Sequence, residues 1–351
     1  MKPRAKSTNI PNDSPITLKI VAEHVGFTPG TVSAVLNNSA AARSFPQQTK
    51  DRILAAAREL NYRPNLLARS LRVKRTYTIG VITEEIGDPY GAMVIGGIER
   101  HLGQRGYLFL TVAHRHDSKL LDTYANLLLQ RGVEGLITVD TSIRQLLPLP
   151  IIAVAGHTRV KGVTNLVIDH RAAALMALKH LQELGHTEIA FMRGPVISSD
   201  TDDRWHAIVE VSRKLGIAIR PELTVRLKGE VGTPHAGYPF AKRLLARRKR
   251  FTALFAYNDN SAIGAIRAIQ EAGLRVPEDI SVVGFDDIES AAYGNPSVTT
   301  VRQPLRKMGE IAARTVLDRI EKRGKFLSEI TVEPEFVVRQ STGKAATRSS
   351  E

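Results

Sequence analysis

The 351-residue chain has no cysteine. Disulfides and thiolate metal sites are therefore excluded, and a reducing compartment fits. No apolar run approaches the ~18 residues of a membrane span. The first residues, MKPRAKSTNIPNDSP, are polar and proline-broken and lack the apolar core of a secretory signal, so a cytoplasmic protein is expected. The ten histidines include no H-E-x-x-H or other metal-spaced pair, and there is neither a G-x-S-x-G elbow nor a phosphate-cradling glycine loop. Metal, cofactor and catalysis are not expected. What remains is 43% hydrophobic and 24% charged, a globular composition on a chain long enough for two or three domains.

The charge is unevenly placed. Residues 1–75 carry 13 Lys/Arg against 4 Asp/Glu, net +9 of the chain's +14, which leaves +5 for the other 276. A basic N-terminal fifth on a near-neutral body is the footprint of a nucleic-acid-binding module joined to a separate domain. Its basic residues are interleaved with periodic apolar ones, unlike a solvated tail.

Residues 1–15 show no periodicity and read as a disordered tail. In LKIVAEHVGFTPGTVSAVLN (18–37), Leu18, Val21, Ala22 and Val25 fall on one helical face. Gly26 suits a left-handed C-cap, Thr28 an N-cap and Pro29 the first helical position. Val32, Val35 and Leu36 make the inner face of a second helix, leaving Gly30, Ser33, Ala34 and Asn37 outside. This spacing fits either a helix-turn-helix that lays its second helix in the DNA major groove or an ordinary helical hairpin. NNSAAARSFPQQ reads as a loop and Gln47–Asn61 as a third helix, which Pro64 stops. The stretch Asn65 to Arg72 is too short to hold a helix alone in water.

From Tyr77 the pattern changes to short β-branched runs (YTIGVIT, YLFLTV, GLITV, IIAVA, EIAFM, TALFAY, SVVGFD) alternating with amphipathic helices. Repeated strand–helix units predict parallel sheets covered by helices. About 260 residues of them are more economical as two lobes with a cleft between than as one open sheet. The run Ala246–Arg250 (ARRKR) reads as cations complementing a helix C-terminus.

VAEHVGFTPGTVSAVLN, TKDRILAAARELNYRPN and ARSL resemble the DNA-binding head and hinge of the LacI/GalR family of bacterial transcriptional regulators. ALKHLQELGHTEIAFM, YNDNSAIGAIRAIQEAGLRVPEDISVVGFDD and SVTTVRQPLRKMGEIAARTVL resemble its regulatory domain. The resemblance implies an all-α, lambda-repressor-like helix-turn-helix head at 16–64 and a hinge at 65–75. It implies a two-lobed α/β, periplasmic-binding-protein-like domain with parallel sheets at 76–340, with crossovers near 170, 302 and 330. The remaining 341–351 read as a second disordered tail.

By the same resemblance Leu71 is the residue that wedges into the minor groove, with Asn65, Arg69 and Arg72 beside it. The head departs from the family in carrying Pro29, Gly30 and Ala34 where base-reading side chains are common. Bidentate contacts worth ~1–3 kcal/mol each are then missing, leaving Thr28, Thr31, Ser33, Asn37 and methyl contact from Ala34, with Arg43 in an enlarged loop. Specificity is expected to lean on the hinge and on DNA deformability. In the body, Tyr90, Arg204, Trp205, Asn258, Asp259 and Asp286 match effector-binding positions, whereas Ala155 and Gly232 replace the acidic and aromatic residues of sugar-binding relatives. The expected protein is a nucleoid-associated homodimeric repressor of a pseudo-palindromic operator in double-stranded DNA, answering to a small molecule such as a sugar. A low-specificity architectural DNA binder, or a binding protein with a passenger head, is the alternative.

Overall fold

A computed structural model describes residues 16–64, 70, 74–141, 143, 147–156, 159–198, 200–229, 231–247 and 249–346. The chain divides into two compact units, residues 1–76 and 77–351. Asn65, Arg69, Leu71 and Arg72, and the N-terminal stretch 1–15, lie outside the described residues.

Among the described residues the first unit is built on the helices α1 (Leu18–Val25), α2 (Pro29–Leu36) and α3 (Gln47–Glu59). Gly26 ends α1 at φ 71°, and Thr28 opens α2 by accepting the Thr31 N–H at 3.2 Å. Val21, Ala22, Val25, Val32, Val35, Ile53, Ala56 and Ala57 close one small core. Leu54 is 36% exposed, and Ala56 is buried. Between α2 and α3 the loop folds into a 3-10 turn, Ala40–Ser44, anchored by buried Ala42. That anchor leaves Arg43 exposed.

The second unit holds two six-stranded sheets. The first, in the order β11-β5-β4-β3-β1-β2, is parallel throughout. Its strands are β1 (Thr78–Thr83), β2 (Leu108–Ala113), β3 (Gly135–Val139), β4 (Ile151–Val154), β5 (Val163–Ile168) and β11 (Glu329–Val332). The second, β12-β10-β9-β8-β6-β7, is parallel except at its β12 edge. It comprises β6 (Ile189–Arg193), β7 (Thr224–Arg226), β8 (Ala253–Phe255), β9 (Ser281–Asp286), β10 (Thr299–Arg302) and β12 (Glu335–Val337). The helices are α4 (Pro89–Gln104), α5 (Ser118–Gln130), α6 (His170–Glu183), α7 (Thr201–Leu215), α8 (Tyr238–Leu245), α9 (Asp259–Glu271), α10 (Glu289–Tyr293) and α11 (Leu305–Ile320).

The chain passes between the sheets three times: after β5, where Asp169 caps α6 by accepting the Arg171 and Ala172 N–H groups at 2.9 Å, between β10 and α11, and at residues 333–334 between β11 and β12. The third passage, expected near 330 from the resemblance, falls just after the strand Glu329–Val332 of the first sheet. Residues 341–346, expected to begin a disordered tail, are packed instead. Ser341 is fully buried, donates to the Val282 carbonyl at 2.6 Å and accepts the Thr299 N–H at 2.8 Å. Gly343 accepts from His186 at 3.0 Å, in the tautomer that puts the proton on Nε2. Polar contacts hold this segment, so hydrophobic periodicity could not reveal it.

Candidate functional site

In the first unit, Thr28, Pro29 and Gly30 are exposed at the start of α2, and Thr31 and Ala34 are half-buried. The Thr28 and Thr31 hydroxyls bond each other at 3.0 Å. Ser33 departs from expectation: it is 6% exposed, turned inward. Asn37 folds back on it, its amide donating to the Ser33 carbonyl at 2.8 Å and to the hydroxyl at 3.3 Å. Of the expected base readers, the fully outward set is Thr28, Pro29, Gly30 and Arg43, and only Arg43 is charged.

In the second unit a cleft runs between the lobes at the C-terminal ends of the strands, the place where parallel sheets present ligand sites. One wall is Thr83, Glu84, Asp88, Tyr90, Asp140 and Ala155, and the facing wall includes Asp200, Arg204, Gly232, Tyr257, Asn258 and Asp286. The cleft holds about 630 Å³ of non-atom space, including the part open to solvent. At Gly232 an added Cβ would stand 3.2 Å from Asp88 Oδ1 of the facing wall.

Arg204 organises the far wall. It is 6% exposed, donates from Nη1 to the Tyr257 carbonyl at 2.6 Å, and pairs through Nη2 with Asp200. Its guanidinium lies 3.8 Å from the centre of the Phe285 ring and 4.6 Å from that of Tyr257. Asp200 also meets His170 at 2.7 Å. Asp286 ends β9 at φ 109° and accepts from Gln303 at 2.7 Å. Burial drives its carboxyl well above the usual carboxylate range, against the pull of Arg204. That burial favours the neutral, donor form of the Asp286 carboxyl. Burial likewise raises Asp88 and Glu84, the latter despite His116 beside it. It also pushes the Tyr257 hydroxyl up to about 12.

Two polar atoms in this cleft have no hydrogen-bond partner among the described residues: Tyr90 Oη and Arg204 Nε, both sealed from solvent. A buried orphan costs roughly 1–3 kcal/mol, so each is a place for a ligand atom.

Tyr90, Arg204, Asn258 and Asp286, four of the six residues singled out from the sequence, come together here. Trp205 does not: one residue along α7 from Arg204, it packs edge-on against Phe191 at 6.0 Å with Arg193 over it at 4.5 Å. Asp259 does not either. It is fully buried behind the cleft, accepting from Thr300 at 2.6 Å and from the Ile288 N–H at 2.9 Å. Asn258 reaches the cleft but spends its amide on structure, capping α9 and donating to the Val231 carbonyl at 3.0 Å. Asp88, Asp140, Asp200 and Tyr257 were missed. Asp140 and Tyr257 directly follow β3 and precede α9 at the cleft end of the sheets, and Asp88 caps α4 ahead of Pro89. Residues just past parallel strands were thus the available signal.

Burial raises the Asp259 pKa from 3.8 to about 7, outweighing the Thr300 and Ile288 hydrogen bonds that lower it. The folded protein keeps this proton up to about pH 7, while the unfolded chain loses it near 3.8. The contribution is full below about pH 4, declines as pH rises to about 7 and is flat above, amounting to at most about 4 kcal/mol. The difference in urea-unfolding free energy between wild type and Asp259→Asn should therefore fall across pH 4–7. A pH-independent difference would remove this account.

A three-helix head with an exposed second helix, attached to a two-lobed domain with a polar cleft, defines a DNA-binding regulator of the two-domain kind. The match to the family model described as bacterial regulatory proteins, lacI family, covers residues 17–65, and that to a periplasmic binding protein-like domain covers 178–342. The chain is 32% identical over 337 residues to the HTH-type transcriptional repressor PurR of Haemophilus influenzae, covering 93% of this chain and 98% of that protein. Among solved structures, the Lac repressor dimer bound to operator and the anti-inducer ONPF superposes with a TM-score of 0.84 at 26% identity, covering 94% of this chain and all of that one. The complex of the transcriptional regulator CelR with cellobiose gives 0.68 at 27%, covering 93% and 99%. The chain belongs to the lacI family of bacterial regulatory proteins, and it is a DNA-binding transcriptional repressor modulated by a small-molecule effector.

Proposed function

We propose that this repressor acts as a homodimer on a pseudo-palindromic operator and that its effector is a hydroxylated small molecule, neutral or cationic, held in the inter-lobe cleft. The observation that carries the effector class is the cleft's lining. Glu85, Asp140 and Asp200, together with Glu84, Asp88 and Asp286, whose burial favours the neutral carboxyl, face one arginine and one histidine. Arg204 is already paired with Asp200. A phosphate or carboxylate entering there meets net repulsion in a poorly solvated site, whereas hydroxyls satisfy Tyr90 Oη and accept from Arg204 Nε. Gly232 offers no ring on which a flat base or sugar face would stack. The ligand enters as the lobes part, and the head's DNA affinity changes through that linkage.

On the DNA side, Thr28, Pro29, Gly30, Thr31, Ala34 and Arg43 form the reading surface, with Asn65, Arg69, Leu71 and Arg72 of the hinge acting in the minor groove as the family resemblance implies. A repressor works where the chromosome is, which places the protein in the bacterial cytoplasm. No described helix is long and apolar enough to cross a membrane. The short side chains at the start of α2 favour one second reading, a DNA binder of low specificity.

The test is fluorescence anisotropy on operators selected from genomic DNA, repeated with hexoses, pentoses, amino sugars, purines, sugar phosphates and organic acids. A sugar or amino sugar should change operator affinity 5–150-fold, with phosphorylated and carboxylated compounds inert. An anionic effector would sink the proposed class. Failure to select any site, with affinity set by salt alone, would favour the low-specificity reading.

A further inference from the structure

The lobe that holds the first sheet carries a second depression, at the opposite end of its strands and of opposite charge. An open basin, with about 960 Å³ of non-atom space including the part open to solvent, is lined by Lys161, Arg319, Lys322, Arg323, Lys325 and Phe326, with no acidic residue in its lining. The location follows from the topology. Lys161 precedes β5, Phe326 precedes β11, and Arg319 donates to the carbonyl of Ile151, the first residue of β4, at 3.0 Å. All three strands are parallel, so the basin lies at their N-terminal ends and the acidic cleft at their C-terminal ends, roughly 15–20 Å of strand away.

Charge bookkeeping inside the basin is incomplete. Arg323 pairs with Asp318 and Glu321 at 3.4 and 2.6 Å. Lys161, Lys322 and Lys325 have no ion pair among the described residues. The C-terminus of α11 draws nearby cations through its dipole, which accounts for Lys322 and Arg323. It does not account for Lys161, which another segment brings to the same wall. Arg319 is held in place over the Phe326 ring, 4.9 Å from its centre, and burial lowers its pKa. Phe326 nevertheless stays 52% exposed. An aromatic ring left open among unpaired cations has the makings of a site for an anion that carries a flat or apolar group.

We propose that this basin binds the phosphate group of an organic phosphate, independently of the effector cleft. The ligand chemistry has two sources, a phosphorylated metabolite or the backbone of DNA, and the cations recognise the phosphate in either case. A metabolite would make the repressor answer to two inputs of opposite charge, one at each end of the same sheet.

The test uses the full-length protein at low ionic strength. Calorimetric titrations with inorganic phosphate, glucose 6-phosphate and AMP form one arm. Anisotropy with a labelled duplex lacking any operator forms the other. Wild type is compared with the triple variant Lys161→Ala/Lys322→Ala/Lys325→Ala, the matching triple arginine variant, and Phe326→Ala, all at exposed positions. Saturable binding of a small phosphate, at least tenfold weaker in the triple alanine variant and retained in the arginine variant, assigns a metabolite. In that case Phe326→Ala should weaken AMP more than inorganic phosphate. Should only the duplex bind, with a shallower salt dependence in the triple alanine variant, the source is DNA. If no small phosphate binds and duplex affinity is the same in all variants, the proposal is wrong. Arg204→Lys, which silences the cleft at near-normal stability, should leave the phosphate titrations unchanged, so this site and the effector reading fail separately.

Discussion

Arg204→Ala should silence the effector response and cost the regulatory domain about 3–5 kcal/mol of stability, the range for removing one partner of a buried ion pair. The side chains of Arg204 and Asp200 are 7% and 8% exposed, so solvent screens little of the loss. Truncation takes from Asp200 its partner Arg204, leaving it beside His170, and takes the Nη1 donor from the Tyr257 carbonyl. It also removes the charge that restrains the upward pKa shifts of Asp286, Tyr90 and Tyr257. The aromatic contacts to Phe285 and Tyr257 go with it. Arg204→Lys keeps a cation but cannot reach Asp200 and the Tyr257 carbonyl together from a planar fork. It should fold well enough to show the loss of effector response at near-normal stability. Urea unfolding reads the first effect and operator anisotropy with effector reads the second. Because the head has its own core, DNA binding itself should persist. A normal effector response in both variants would remove Arg204 from the site.

The parallel two-lobed architecture was legible because strand and helix periods alternate through the body, yet several strands were not. Val163–Ile168 lies between a turn and a helix and is buried along nearly its whole length, so it has no polar alternation to mark it. Thr224–Arg226 and Glu335–Val337 are three-residue edges, too short for any period. At the cleft, sequence spacing found the right segments and sometimes the wrong neighbour. Successive helix residues point about 100° apart, so Arg204 facing the cleft sends Trp205 to Phe191. Asn258, at the cap, faces the cleft, while Asp259 turns inward to Thr300. The same geometry turned Ser33 into the head. The missed carboxylates, Asp88, Asp140 and Asp200, sit at helix starts and strand ends where a capping role explains them equally well. Only the facing lobe shows that they share one cavity.

A different kind of residue was invisible for a simpler reason, that it has no side chain to be periodic with. Gly97 of α4 and Gly309 of α11 meet where the two helices cross. A Cβ on Gly97 would fall 1.9 Å from the Arg306 carbonyl oxygen, and one on Gly309 would fall 2.0 Å from that of Val94. Carbonyl oxygens of helices cannot swing aside, so the helices must separate by more than 1 Å to restore ordinary contact. The second lobe repeats the device: a Cβ on Gly237 would lie 2.0 Å from the Ser261 carbonyl oxygen, and one on Gly264 1.9 Å from that of Pro234. Gly97→Ala and Gly309→Ala should each cost ~1–3 kcal/mol or more, as overpacking does. The double variant should cost less than their sum, because one separation of the helices relieves both clashes. Gly103→Ala is the control. It lies in the same helix α4 with nothing within 4 Å of the added carbon, so alanine there should be neutral or stabilise by up to about 1 kcal/mol through helix propensity. The crossing also bears on function, since α11 begins two residues after Gln303, which donates to Asp286 in the cleft. Displacing α11 should therefore weaken effector binding as well as the fold, and Gly103→Ala should do neither. Additive losses in the double variant, or a cost at Gly103 equal to that at Gly309, would show that the helix crossing is not what these glycines serve.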